Sequence, residues 1–333
     1  MKAKVYLHLE DKLEEVSVSG PDKPEIEDTI MVKWQHIVNL IARLVNVPTG
    51  LIMKVTDDSL KIFLKNNSEK NIFEVGESDP LGCGVYCETV IGKDHELLVV
   101  DALSHEKWYN NPEVKWGMIS YYGLPIKWPD GEFFGTICVM DTKENHFSEE
   151  FKSVMKELRN SVEKDLALLM NRENLVKMAE YDSLTEIYNR RKIDSILNNE
   201  FKRSKRSEEI FSVVLIDLNG FKAINDNFGH EIGDKVLINF ASSVSKRIRS
   251  TDYFGRWGGD EFLIVLPYTK KSDAENLIDK LYNNAVEDIQ SFIPNFSFSY
   301  GIAEYNTNDE VYDSIIKRAD DLMYYMKKGH KTR

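Results

Sequence analysis

The chain has 333 residues, 42% of them apolar and 29% charged, which suits a soluble globular protein with material for two cores. Its formal net charge of −12 argues against a general nucleic-acid binder, which would carry a basic face. A small phosphorylated substrate stays compatible with that charge, because a bound divalent metal supplies the missing positive charge.

The three cysteines, Cys83, Cys87 and Cys138, imply no disulfide framework and fit a reducing cytoplasm. The N-terminal MKAKVYLHLEDKLEEV has no apolar core for a signal peptide, and no apolar run is long enough for a membrane span. A cytoplasmic protein without a membrane segment is the expectation.

In chain order, Val5, Leu7 and Leu9, then Val16 and Val18, alternate with polar residues and predict a hairpin that ends at GPDKPE. Val32, His36, Ile37, Leu40, Ile41 and Leu44 recur at helical spacing over 31–45. The runs GLIMKVT, KIFLKN, ELLVVDA, YYGLPIKW and FFGTICVMD read as strands of a mixed sheet. Residues 148–180 contain no Gly or Pro, and Ser148 followed by two glutamates resembles an N-cap with an acidic first turn. Phe151, Met155, Leu158, Val162, Leu166 and Leu169 form an apolar seam there. That seam predicts either pairing with a second copy as a coiled coil or packing on its own domain.

The second half alternates strand and helix. FSVVLID (211–217) is a buried strand, and a helix is expected over 230–249. A strand pair follows around GGDE, then a helix near 272–287, the strand FSFSYGIAE and a last helix near 311–328. The fold class is α/β (α+β), a sheet covered by helices in each half. The expected division is a β extension over 1–26, a first sheet domain over 27–147, a helix over 148–180 and a second domain over 181–333.

Asp217 ends its strand, where side chains project into a cleft, and Asp260 and Glu261 stand side by side in RWGGDEF. Adjacent carboxylates raise each other's pKa unless a cation neutralises them. If the two strands are neighbours, Asp217 and Asp260 share one divalent cation such as Mg²⁺, whose ligands are carboxylates, phosphates and water. Gly258 and Gly259 would permit positive φ in the turn. Backbone N–H groups of NGFK, at a helix start, would hold phosphate oxygens, with Lys222 adding charge.

Residues from about 175 to 333 resemble a GGDEF domain, the catalytic domain of diguanylate cyclases. The matching blocks stand in order: DSLTEIYNRR, IDLNGFKAINDNFGHEIGD, RSTDYFGRWGGDEF, SFSYGIA and RADDLMYYMKKG. The resemblance implies that Asp217, Asp260 and the Leu218 carbonyl hold the metal, Mg²⁺ with Mn²⁺ as a substitute. It makes Asp260 catalytic, with Glu261 beside it. Asn225 and Asp234 would read the guanine edge, whose donors and acceptor suit an amide and a carboxylate. His230 and Phe221 fall in the substrate-contacting block, and Lys222 and Lys327 match basic positions near the phosphates. MKKGHKTR is one residue shorter before its glycine than the family's usual ending, which sets Lys327 apart from the other assignments.

The chemistry implied is condensation of two GTP to cyclic di-GMP with release of pyrophosphate, each half-site on one chain of a homodimer. Arg249 and Asp252 form an RxxD pair that resembles the family's product-inhibition site; a surface ion pair is the competing reading. Two rivals to the cyclase are a non-catalytic receptor for GTP or cyclic di-GMP and a cyclase acting on ATP.

Residues from about 27 to 170 resemble a GAF domain, on CETVIGKDHELLVVDALSHEKWYNNPEV and SYYGLPIKWPDGEFFGTICVMD. GAF domains bind varied small molecules, and the sequence does not name this ligand. Trp108, Tyr109, Trp116, Tyr121, Tyr122 and Trp128 read either as an aromatic pocket or as core and loop cover. Cys83 and Cys87 read as buried small residues and His105 as a solvated loop residue.

Overall fold

The computed structural model describes residues 1–331, divided by contacts into a unit over Met1–Asn174 and a unit over Leu175–Arg333. The end of MKKGHKTR lies outside the described residues.

The first unit begins with a hairpin, β1 (Lys2–Leu7) and β2 (Lys12–Ser17), then α1 (Asp28–Leu44). Its main strands are β3 (Thr49–Val55), β4 (Ser59–Lys65), β5 (Ser78–Pro80), β6 (Leu97–Val99), β7 (Ser120–Lys127) and β8 (Phe133–Asp141), with α2 (Tyr86–Lys93) between β5 and β6. They form one six-stranded sheet in the order β5-β4-β3-β8-β7-β6. Its ladders are antiparallel throughout, which corrects the expectation of a mixed sheet.

Period-two alternation sends Leu51, Met53, Tyr121, Cys138 and Met140 to one core, shared with α2 and the N-terminal hairpin. Ile52, Tyr122, Leu124, Ile137 and Val139 face the other core, against α1. A sheet covered on both faces explains why β7 and β8 read as unbroken apolar runs.

The long helix α3 spans Glu149–Glu180. The Ser148 hydroxyl accepts from the Phe151 N–H at 3.2 Å, as an N-cap should. The seam residues Phe151, Met155, Val162 and Leu166 are buried with Trp34 and Ile41 of α1, so they are core of the first unit rather than a coiled-coil stripe. Asp165 locks that packing, accepting from Trp34 Nε1 at 2.9 Å and from Lys33 Nζ at 2.7 Å. A different set of apolar residues on α3 is exposed: Leu168, Leu175, Val176 and Met178.

Trp108, Tyr121, Tyr122 and Trp128 are buried core residues, whereas Tyr109 and Trp116 are exposed. Cys87 is buried, but Cys83 is exposed, which corrects its assignment as a buried filler. His105 is exposed, as expected of a loop.

The second unit contains α4 (Arg190–Ser207), β9 (Phe211–Leu218), α5 (Phe221–Phe228), α6 (His230–Ser245), β10 (Tyr253–Arg256), β11 (Glu261–Pro267), α7 (Lys271–Gln290), β12 (Phe298–Glu304) and α8 (Asp313–Lys331). Its sheet is antiparallel in the order β10-β11-β9-β12. Val214, Ile216, Phe262 and Ile264 pack against α6 and α7. Val213, Leu215, Leu263 and Val265 pack against α4 and α8. The parity of β9 and β11 therefore assigns Asp217 and Glu261 to the α8 face, one step beyond its apolar core.

Gly301 of β12 sets how close α8 lies. A Cβ there would stand 1.9 Å from the Ala319 carbonyl oxygen and 2.6 Å from the Met323 nitrogen. Only glycine lets the helix backbone rest on the strand.

Among the described residues no helix is long and apolar enough to cross a membrane.

Candidate active site

β9 and β11 are neighbours, and their register places Glu261 opposite Asp217. Ser299 of β12 flanks Asp217 on the other side. The Leu218 N–H donates to the Asp260 carbonyl at 3.2 Å, which ties the end of β9 to the GGDE turn. Asp217 is buried, and Asp260 and Glu261 are half-buried. These three acids are thus brought to one end of the sheet.

α8 adds a cation. Lys327 Nζ lies 2.5 Å from Asp217 Oδ2. This places Lys327 on a carboxylate of the cluster despite the short C-terminal stretch. Burial pushes the Asp217 carboxyl above its usual range and Lys327 pulls it down, but Asp260 and Asp320 push it up again, leaving it raised. Glu261 is raised by burial first and then by Asp217 and Asp260. The cluster holds more negative charge than one ammonium balances. It fits a divalent cation in the chemistry of its donors, all of them oxygens. Among the described residues no three acids, histidines or cysteines are yet drawn into a closed ligand cage.

The turn between β10 and β11 is held from outside. The N–H groups of Trp257 and Gly258 donate to the Glu261 carbonyl at 2.8 and 3.2 Å. The Arg256 guanidinium donates to the Gly259 carbonyl at 3.1 and 2.7 Å and to both oxygens of Asp182 at 3.0 and 3.2 Å. Burial alone would raise the Asp182 carboxyl, yet hydrogen bonds from Thr185 and the Arg256 charge hold it below its usual range. Neither Gly258 nor Gly259 is among the positive-φ residues, which corrects the reason expected for them. A Cβ at Gly258 would meet Glu261 Oε2 at 2.7 Å, so a side chain there would push that carboxylate aside. Nothing stands within 4 Å of a Cβ at Gly259.

After β9 the chain turns sharply. The Asn219 N–H donates to the Ser297 carbonyl at 3.0 Å, and its side-chain oxygen accepts from the Ser299 hydroxyl at 2.8 Å. Gly220 then caps α5 at φ +67°, without a side-chain cap on the helix's first turn. The N–H groups of that turn, from Phe221 and Lys222 onward, have no partner within the helix. Lys222 is exposed and Phe221 half-buried.

α5 and α6 meet through a second glycine. A Cβ on Gly233 would lie 1.9 Å from Asn225 Oδ1, so the Asn225 amide occupies the space that glycine leaves, one residue from Asp234. His230 opens α6 and, like Asp234, is exposed.

Arg249 and Asp252 form a reciprocal turn between α6 and β10. The Asp252 carboxylate accepts from the Arg249 N–H at 3.0 Å, and the Asp252 N–H donates to the Arg249 carbonyl at 3.0 Å. Asp252 thus caps the backbone rather than pairing with the guanidinium, which sets aside the competing reading of a surface ion pair. Arg249 itself is exposed.

Asp182, Asn219, Arg256, Ser299 and Asp320 were not singled out in the sequence. Asp182 and Arg256 stood inside matching blocks, and their pairing across 74 residues is the signal that only folding reveals.

The second unit is thus an antiparallel sheet with carboxylates from two adjacent strands at one end, closed by a GGDE turn, and a sheet domain covered on both faces precedes it in the chain. Residues 179–333 match the family model "Diguanylate cyclase, GGDEF domain", and residues 33–166 match that of the GAF domain. Residues 179–333 are thus a GGDEF domain, and a GAF domain over 33–166 precedes it in the chain.

It is 30% identical over 229 residues to the diguanylate cyclase DgcP of Escherichia coli, covering 65% of this chain and 66% of that one. It is 34% identical over 173 residues to the bifunctional diguanylate cyclase/cyclic di-GMP phosphodiesterase MucR of Pseudomonas aeruginosa, covering 51% of this chain but only 25% of that one. Among solved structures it is similar to the coiled coil and GGDEF domain of DgcB from Caulobacter crescentus in complex with c-di-GMP. That match has 24% identity and a TM-score of 0.47, covering 53% of this chain and 95% of that one.

Proposed function

We propose that the protein is a diguanylate cyclase that condenses two GTP into cyclic di-GMP in the cytoplasm. The observation that carries this reading is the pairing of Asp217 with Glu261 on the α8 face, with Asp260 next to them in the turn and Lys327 supplying one positive charge. A protein that only bound nucleotide would gain nothing from holding the carboxyls of Asp217 and Glu261 above their ordinary range.

In this reading Asp217, Asp260 and the Leu218 carbonyl hold Mg²⁺, or Mn²⁺ in its place. Held there, such a cation would supply the positive charge that lowers the pKa of an attacking 3′-hydroxyl and offsets charge on the reacting phosphate. Glu261, with its raised carboxyl, is suited to hold a proton beside the reacting oxygens. Lys327, now on Asp217, would be free to take a phosphate oxygen once a cation neutralised that carboxylate. The open first turn of α5, with Lys222, receives the remaining phosphate oxygens, with Phe221 packing beside them. Asn225, held against Gly233, and Asp234 read the guanine edge, with His230 at the rim.

Each chain presents one such half-site, in its second unit, so turnover requires a homodimer. Leu168, Leu175 and Met178 are exposed on α3 at heptad-compatible spacing and are the residues we assign to pairing of two copies. The GAF domain regulates through that helix, and the exposed Arg249 with its Asp252-capped turn binds product.

Incubation of the full chain with GTP and Mg²⁺, with products separated by chromatography, tests the reading. Cyclic di-GMP and pyrophosphate are expected. Nucleotide binding without either product, after stripping bound cyclic di-GMP, would identify a receptor instead.

A further inference from the structure

The GAF unit contains a cavity of about 360 Å³ near the β5 edge of its sheet, lined in part by Ile62, Phe73, Glu77, Asp79 and Trp116. Phe73 and Trp116 meet at 89° with ring centroids 5.7 Å apart, so they form two perpendicular aromatic walls. Trp116 is 46% exposed, an unusual state for a tryptophan that packs against nothing else in the ring contacts of the unit. Both walls are built rigidly. The Phe73 N–H donates to Asn71 Oδ1 at 3.2 Å and its carbonyl accepts from Lys65 Nζ at 2.7 Å. Trp116 ends a short helical turn, Pro112–Trp116, closed by Gly117 at φ +81°.

Asp79 gives the cavity its charge. Its register partner is Leu60, a buried residue, so its carboxylate shares the core face of the sheet edge. It is half-buried and has neither a hydrogen bond nor an ion pair to its side chain among the described residues. Burial, then Glu77 and Glu88, push its carboxyl above the usual range. Lys61 does not relieve it: that lysine pairs with Ser78 and lies on the opposite face. Glu88 is already spent on the N–H groups of Tyr6, Gly82 and Gly84, at 2.6, 2.7 and 2.8 Å. Glu113, on the same turn as Trp116, is buried with Oε2 unpartnered.

A half-buried carboxylate without a partner costs free energy unless something compensates it. Here the wall beside it is aromatic, and an aromatic face attracts cations by its quadrupole. An anion would be repelled by Asp79 and Glu77, the two acids of the lining. A metal ion would lack ligands, since among the described residues no three suitable side chains converge. We propose that this cavity binds a small organic cation of the alkylammonium class, its charge between Asp79 and the Trp116 face and its alkyl part against Ile62 and Phe73. The proposal concerns the first unit alone and stands whether or not the second unit is a cyclase.

The test uses the full chain with choline and its uncharged isostere, 3,3-dimethylbutan-1-ol, read by calorimetry and by tryptophan fluorescence. Saturable choline binding is expected, with the isostere weaker by at least about tenfold. Asp79→Asn and Trp116→Leu should each weaken choline by about tenfold, while Asp57→Asn, an exposed acid outside the cavity, changes nothing. Circular dichroism checks that each variant is folded, and Trp116→Phe, which keeps an aromatic face, should retain most of the affinity. Absence of saturable choline binding, equal binding of the isostere, or binding indifferent to both Asp79→Asn and Trp116→Leu would each overturn the proposal.

Discussion

Lys327 on the last helix places its ammonium 2.5 Å from the carboxylate of Asp217 at the end of β9, 110 residues earlier in the chain. The contact exists because Gly301 lets α8 lie on the sheet and because strand parity turns Asp217 toward that helix. It makes the lysine the counter-ion of the buried acid before any nucleotide is present. Lys327→Ala should therefore lower metal-free stability by about 1–3 kcal/mol, the cost of leaving a buried carboxylate unpaired. Saturating Mg²⁺ should shrink that loss, because the metal takes over the same carboxylate. Urea unfolding with chelator and with Mg²⁺ measures both; an identical loss in the two conditions would separate Lys327 from the metal site.

The raised carboxyls of Asp217 and Glu261 predict a pH dependence whose sign is fixed. The native unit keeps protons that the unfolded chain has released, so this contribution is fully present below about pH 4 and is lost as pH rises through the raised values. Glu261→Gln should flatten that decline and stabilise the metal-free protein at pH 7 by on the order of 1 kcal/mol. Thermal unfolding across pH 4–8 in chelator compares the two proteins. A variant no more stable than the parent at pH 7 would show that the charge is already relieved.

Asp260 stands where the Leu218 N–H meets its backbone carbonyl, beside Asp217 and Glu261. Asp260→Asn keeps the size of the side chain and removes its charge. Cyclic di-GMP formation should fall by about 10²–10³-fold or more, with an unchanged circular dichroism spectrum. Turnover within a few-fold of the parent would remove Asp260 from the metal site.

Arg256 bridges the Gly259 carbonyl and Asp182, and a lysine cannot reproduce that fork. It is a positioning residue for the GGDE turn. Arg256→Lys and Asp182→Asn should each lower kcat by about 10–100-fold while KM for GTP moves little. The double variant should lose less than the sum of the two single losses, since both break the Arg256–Asp182 pair. Additive losses would mean that the two residues act separately.

The Arg249 guanidinium is exposed, and Asp252 is engaged with the Arg249 backbone. Arg249→Ala should leave uninhibited turnover intact and raise the cyclic di-GMP concentration needed for inhibition by at least about tenfold, the loss of a charged hydrogen bond. An unchanged inhibition curve would place product control elsewhere.

Local pattern carried much of the fold. The strands at 211–218 and 298–304 and the helix at 149–180 follow from apolar periodicity, an absence of breakers and a serine cap. α4 was missed, although Asn189 caps it through the Lys192 N–H and Ile193, Leu197 and Phe201 step along one face. β5 and α2 escaped because a three-residue strand and an eight-residue helix are too short for periodicity to declare itself.

The same local pattern could not say which partner a face would take. The seam of α3 is equally good as a coiled-coil stripe or as core, and Trp34 and Asp165 decide for core by a contact spanning 131 residues. The amino-acid sequence by itself determined the family blocks, the strand parity that turns Asp217 and Glu261 to one face, and the glycines that leave room beside them. Only the tertiary structure decided that Lys327 neutralises Asp217, that Arg256 fastens the turn to Asp182, and that Asp79 lies half-buried without a partner beside Trp116. Periodicity acts within a few residues, whereas these charges meet only after distant strands and helices have packed, and the energy of each depends on the burial that packing creates.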